Sequence, residues 1–249
     1  MKGGNLAFYT DLSDVYDALF PISEAQRALF DRLLASGRVR RVADAGCGSG
    51  AQLLPFAVAG AECLGFDPDP ALVARAGAKL APFPGARVET GGFADVARIV
   101  SPPVDLILCL GNSLVHVTQE EAARFLRGAA GAITGGGEIL LQILNYERLL
   151  LGKVTALPLM QAEEGAIEFR RGYVWEGNRK VRFQTVLRIS DESQHRIVRN
   201  DIPLYPIYPD ELWEMLERAG FSGIRFFGDF AESDFSPESD ALVCRAGKR

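Results

Sequence analysis

Three short stretches carry the residues able to do chemistry: Asp44-Ala-Gly-Cys-Gly-Ser-Gly50, Asp67-Pro68, and Gly111-Asn112-Ser113 with His116 just beyond. In the first, Gly46, Gly48 and Gly50 alternate with small residues after an apolar run. Glycines at every second position let the backbone turn sharply and bring main-chain N–H groups close to a ligand that a Cβ would hold off. A strand ending near Arg41-Val42-Ala43 and a helical turn at Ala51-Gln52-Leu53-Leu54 place this loop at a helix N-terminus, where unsatisfied donors face outward. On the glycines alone two cofactor classes remain open, because Gly46, Gly48 and Ala51 also fit the G-x-G-x-x-G/A spacing of nicotinamide and flavin proteins. Asp44 separates them. A pyrophosphate would be repelled by an acid two residues before the first glycine, whereas a cationic cofactor would be attracted.

Asp67 follows the next apolar run, Ala61 to Phe66. A carboxylate at that tip can accept both ribose hydroxyls of an adenosine moiety, each charge-assisted bond contributing about 1.5–3 kcal/mol. Asp69 suits a different task, capping the helix that starts near Pro70. The third stretch ends a continuous apolar run, Val104 to Leu110, and exposes backbone and the Asn112 amide where a reaction centre would lie. His116 is expected to act as a base only if the acceptor must lose a proton near neutral pH.

The elements that must position these residues alternate strand and helix from Arg40 onward, the pattern of a doubly wound parallel sheet. Strands are expected near 40–45, 61–66, 86–90, 104–110 and 137–144, with helices near 51–59, 70–80 and 118–132. Right-handed crossovers set the carboxyl ends of these strands on one edge, where open α/β sheets bind their ligands. Residues 158–205 change rhythm: Ile167–Trp175, Lys180–Ile189 and His195–Tyr205 alternate apolar with polar residues, as antiparallel strands do. They are expected to form a substrate cap, with Arg170, Arg182, Arg188, Tyr205 and Tyr208 as side chains that could reach the pocket. Pro209–Gly220 has the apolar face and end signals of an amphipathic helix, and two further strands follow.

The acid, one residue, then G-x-G-x-G at Asp44–Gly50 resembles motif I of class I S-adenosylmethionine-dependent methyltransferases. The sequence Cys109-Leu-Gly-Asn-Ser-Leu-Val-His-Val117 is similar to the matching motif of glycine N-methyltransferases and related small-molecule enzymes. The resemblance implies a Rossmann-like α/β fold: a doubly wound seven-stranded sheet with an antiparallel last strand and a small β insertion as substrate cap. It implies one methyltransferase domain over 1–249, divided into an N-terminal lid and helix (1–36), a cofactor half (37–150), the β insertion (151–208) and a last helix with two strands (209–249). S-adenosylmethionine is the implied cofactor, held by Tyr16, Asp44, Gly46, Cys47, Gly48, Gly50, Asp67, Pro68, Phe93, Leu110 and Gly111. Tyr9 and Tyr16 are the lid candidates, Phe93 lies where relatives contact adenine, and Leu110-Gly111 lies beside the methionine part. Asn112 faces the acceptor. Glycine N-methyltransferases carry a carboxylate-binding arginine where this chain has Leu144, so free glycine is not the expected substrate.

The expected reaction is methyl transfer to a nitrogen or oxygen of a small molecule. A nicotinamide-dependent oxidoreductase and a non-catalytic S-adenosylmethionine-binding protein are the alternatives. Composition narrows the setting. With 48% hydrophobic and 24% charged residues and a net charge of −5, the 249-residue chain reads as an ordinary globular protein with scattered basic residues and no nucleic-acid face. No apolar run reaches the roughly 20 residues of a membrane span and no signal-peptide profile opens the chain, so a cytoplasmic location is expected. The four cysteines are widely spaced without a C-x-x-C pair, which argues against a metal site. The sequence leaves the oligomeric state open, a homodimer among the options.

Overall fold

The computed structural model describes Leu12, residues 15–190 and residues 195–248; Tyr9 lies outside these. After a helical turn at Tyr16–Leu19, helix α1 (Glu24–Ala35) starts on a reciprocal cap, Ser23 accepting from the Gln26 amide while the Gln26 side chain accepts from that of Ser23. Strands β1 (Arg41–Ala45), β2 (Glu62–Asp67), β3 (Ala86–Thr90), β4 (Val104–Cys109) and β5 (Ile133–Leu144) then alternate with helices. These are α2 (Leu54–Val58), α3 (Pro70–Leu80) and α4 (Gln119–Ala132), with a single helical turn, Val96–Ile99, between β3 and β4. Helix α5 (Tyr146–Leu151) leads to β6 (Met160–Ala162), β7 (Ile167–Trp175), β8 (Val181–Ser190) and β9 (His195–Leu204). The chain closes with α6 (Pro209–Ala219), β10 (Phe221–Phe227) and β11 (Ala241–Lys248).

The strands form two sheets. One has seven strands in the order β10-β11-β5-β4-β1-β2-β3, with β11 antiparallel to both of its neighbours and β1 to β5 parallel. This is the doubly wound sheet with an antiparallel last strand that the sequence led us to expect. The order reverses between β1 and β4, which sets a crevice beyond their carboxyl ends. Central strands are buried on both faces: Val42, Ala43, Leu106, Ile107 and Leu108 are wholly enclosed. The second sheet, β6-β7-β8-β9, is antiparallel throughout and lies in the 151–208 insertion. Its inward residues join the main core, Phe169, Tyr173, Leu187 and Leu204 packing with Tyr146 and Phe125 in one cluster.

Two boundaries differ from the sequence reading for local reasons. The helix expected over 51–59 begins as a single 3-10 turn, Ala51–Leu53, before the short α2. Pro55 explains this, because it has no N–H to return to Ala51 and its ring crowds a preceding α turn. Strand β5 starts four residues before the expected Gly137: Ile133 pairs with Val104, and the Thr134 hydroxyl donates to Asp105 at 3.0 Å. All four cysteines are buried and free. Among the described residues, no helix is long and apolar enough to cross a membrane.

Candidate functional site

The glycine loop leaves β1 with Gly46, Gly48 and Gly50 all at positive φ (79°, 53° and 77°). At Gly50 the requirement is doubled: a Cβ there would lie 2.9 Å from the Ala76 Cβ of α3. The loop amides of Gly46 and Cys47 donate to the Phe66 carbonyl at 2.9 and 3.1 Å, stitching the turn to β2. Gly48 N–H donates instead to Asp67 Oδ2 at 3.1 Å, and Asp69 N–H to Asp67 Oδ1 at 2.9 Å. Asp67 is thus held by one backbone donor on each oxygen, leaving further lone pairs for a ligand. Asp69 is the helix cap, accepting from the Ala71 and Leu72 amides.

Burial sets the electrostatics. Asp44 is enclosed at the tip of β1, and its Oδ2 has no hydrogen-bond partner. Desolvation, and then the nearby Asp67, push its pKa up to about 8. Desolvation also raises Asp67, to about 6, although its two backbone bonds oppose the shift. An enclosed carboxylate without a partner, beside a loop that admits close approach, fits a ligand bearing positive charge. A pyrophosphate would meet two acids here.

Two adjoining cavities meet at this edge. The first, about 300 Å³, is lined by Asp67, Pro68, Phe93, Gly46, Gly48 and Tyr16 among others. Phe93 borders it while packing at a tilt on Phe125 of α4, ring centroids 4.5 Å apart, so one side chain belongs both to the cavity wall and to the core. The second, about 260 Å³, is the chamber between the strand ends and the cap, reached by Asp44, Cys47, Leu110, Asn112, Tyr173 and Arg171. Tyr16, Gly46, Gly111 and His116 line both. The residues selected as catalytic or cofactor-binding therefore gather around two joined spaces, except Gly50, whose task is the turn; Tyr9 is not described.

The turn after β4 is tied down. Gly111 and Asn112 both have positive φ (67° and 65°), and Gly111 N–H donates to Gln142 Oε1 at 2.8 Å. Asn112 Oδ1 accepts from Leu144 N–H at 3.0 Å, while its Nδ2 donates to the Tyr146 hydroxyl at 2.9 Å. One Oδ1 lone pair and one Nδ2 hydrogen remain. Burial lowers the His116 pKa to about 4 and raises that of Tyr173 to about 12. A neutral imidazole that holds a proton so weakly is a polar wall of the site, not a proton acceptor at neutral pH.

The helical turn Tyr16–Leu19 closes over the loop. The Tyr16 ring lies against Gly48, within 3.4 Å of where a Cβ would be. Asp17 accepts from the Ser49 hydroxyl and pairs with Lys79 Nζ at 2.6 Å, and Lys79 donates to Ser49 at 3.2 Å. Sequence reasoning missed this latch, as it missed Gln142, Tyr146, Arg171 and Tyr173. The arginines it selected, Arg170, Arg182 and Arg188, point to the exposed side of the cap sheet. Tyr205 and Tyr208 do not line either cavity. A signal was present in the strand phase. Ile167, Phe169, Tyr173 and Trp175 are the apolar positions of β7, so Arg171 shares their face and Arg170 does not.

Comparison with known proteins agrees with the fold. A model of the methyltransferase domain matches residues 42–137. A glycine/sarcosine N-methyltransferase from Aphanothece halophytica is 23% identical over 234 residues, covering 91% of this chain and 83% of that protein. An S-adenosylmethionine-dependent methyltransferase from Clostridium acetobutylicum has the same fold, with a TM-score of 0.81 at 11% identity over 97% of this chain and 99% of that one. A sugar N-methyltransferase from a Streptoalloteichus species gives 0.68 at 18% identity, covering 98% and 92% of the two chains.

Proposed function

Given that this chain is a class I S-adenosylmethionine-dependent methyltransferase, we propose that it methylates an amine nitrogen of a small molecule seated between the strand ends and the cap. The observation that carries the choice of nitrogen is the acidity pattern of the chamber. With His116 near 4 and Tyr173 near 12, neither takes a proton from an alcohol at neutral pH. A neutral amine brings its own lone pair and needs only alignment, which supplies up to roughly 7–11 kcal/mol. The N-methyltransferases named among the relatives support the same choice.

In this reading S-adenosylmethionine, when bound, supplies a methyl group on a sulfonium that is already a good leaving group. The chain's residues do the rest. Asp67 receives the ribose hydroxyls, Pro68 and Phe93 flank the adenine, and Tyr16 closes the entrance. Asp44 receives the charged methionine end, the glycine loop Gly46–Gly50 lets it approach the backbone closely, and Leu110 and Gly111 form its backbone wall. Asn112, its amide fixed by Leu144 and Tyr146, keeps one Oδ1 lone pair to accept an N–H of the amine and so aim the nitrogen lone pair. His116 and Tyr173 keep bulk water from the reacting pair.

Calorimetry with S-adenosylmethionine, S-adenosylhomocysteine and NADH, followed by a screen of amines and alcohols with isotopically labelled methyl donor, tests this. The first two ligands are expected to bind, and label is expected in amines. Binding of NADH alone, or label confined to hydroxyl acceptors, would overturn it.

A further inference from the structure

The inward face of the cap sheet is apolar except along one row. In the pairing of β7, β8 and β9, Arg171 stands opposite Thr185, and Thr185 opposite Asn200. Apolar and aromatic pairs flank this row, Phe169 opposite Leu187 and Tyr173 opposite Phe183. Side chains directly opposed on one sheet face have Cβ atoms about 4.5–5.5 Å apart, so the three polar groups form a continuous seam. Each contains a buried polar atom with no hydrogen-bond partner: Arg171 Nε, Thr185 Oγ1 and Asn200 Nδ2. Thr185 is only 3% exposed.

Arg171 is the charged end of this seam and lines the acceptor chamber. Its guanidinium donates through Nη2 to the Pro158 carbonyl at 3.0 Å and lies 5.8 Å from the Phe169 ring centroid. Three arginines on the outer face of the cap have acid partners: Arg170 and Arg188 share Glu168, and Arg182 pairs with Asp201. Among the described residues no carboxylate pairs with Arg171. A sheet face built only for packing would be better served by apolar side chains here, since unmet donors and a half-buried charge without a counter-ion both oppose folding.

We propose that the chamber end of this seam is a subsite for a carboxylate on the acceptor, with the Arg171 guanidinium donating to its oxygens where it lines the chamber and Thr185 and Asn200 forming the polar row enclosed behind it. The assignment rests on the N-methylation reading and narrows it to amines that also carry a carboxylate, set far enough from the nitrogen to span from Asn112 to the cap. A neutral sugar would leave the guanidinium uncompensated. The subsite stands on the cap sheet, away from position 144, where this chain has leucine.

The test needs no knowledge of the acceptor. In the S-adenosylhomocysteine-loaded protein, the Arg171 Nε–H resonance is assigned by its loss in Arg171→Gln. It is then titrated with acetate, butyrate and hexanoate, and with the amides of the same lengths. At least one carboxylate is expected to shift the resonance saturably, with its amide at least tenfold weaker. Thr185→Val, close in shape and enclosed behind Arg171, is expected to leave that affinity within about twofold, whereas Arg171→Gln is expected to lower it at least tenfold. Both variants are expected to bind S-adenosylhomocysteine as tightly as the parent, which shows that the fold is kept. The proposal is overturned if no carboxylate outperforms its amide, or if calorimetry finds equal carboxylate affinity in Arg171→Gln. No methyl transfer enters this titration, so its result is independent of the labelled-methyl screen.

Discussion

A carboxylate that already receives one backbone N–H on each oxygen cannot swing away from its ligand, and Asp67 is fixed in this way by Gly48 and Asp69. Preorganisation of this kind makes a charge-assisted bond cost little ordering at the moment of binding. Replacing Asp67 with alanine is therefore expected to weaken S-adenosylmethionine binding by about tenfold or more in calorimetry, the scale of one such bond. Unchanged affinity would remove the ribose assignment. Asp67 and the glycine loop were legible in the sequence because their meaning is local: residue type, spacing and position after a strand suffice. Arg171 was not. Arg170 and Arg171 are adjacent in sequence, yet one faces solvent and the other the chamber, and only the phase of β7 distinguishes them. The Asn112–Tyr146 bond was equally hidden, because it joins residues brought together by the β4–β5 pairing.

At the scale of elements, the turn Tyr16–Leu19 is held to the cofactor loop by polar contacts at its rim and by aromatic packing within. Tyr16 and Phe20 have ring centroids 5.0 Å apart, and Phe20 meets Phe169 of the cap edge-on at 6.0 Å, so the turn bridges the two sheets' territories. The Asp17–Lys79 pair is partly exposed, and such pairs contribute about 0–1 kcal/mol. Asp17→Ala is thus expected to leave global stability nearly unchanged. It should nevertheless speed amide hydrogen exchange over the turn and loosen S-adenosylmethionine binding a few-fold. Equal exchange rates in the two proteins would show that packing alone holds the turn. The element pattern of the large sheet was readable because each βαβ unit announces itself by hydrophobic period, and the antiparallel last strand followed from the resemblance. The latch was not readable: it joins residues from three separate elements that only the folded crossovers bring together.

For the whole molecule, the two raised carboxylates link stability to pH. Asp44 near 8 and Asp67 near 6 both stand above their usual 3.8. Through these two carboxyls the ligand-free folded chain keeps protons that the unfolded chain has released between about pH 4 and pH 8, and their contribution to stability falls as pH rises through that window, by up to about 1.4 kcal/mol per unit for each group that differs fully. His116, held neutral by burial, works in the opposite direction below its ordinary value of 6.5, so the net fall is clearest from there to about pH 8. A cationic ligand beside Asp44 favours the ionised form and offsets the loss. Thermal melts from pH 5 to 8.5 are expected to show a gap between S-adenosylhomocysteine-bound and free protein that widens with pH. A constant gap would mean that Asp44 does not face the ligand's charge. The division of the walls has a consequence of another kind. Among the described residues, the donor cavity takes no lining from 151–208, whereas the acceptor chamber takes six of its side chains there. Drift in that one stretch can exchange acceptors while the donor wall is inherited intact, so two lineages can share a cofactor habit and diverge freely in what they modify.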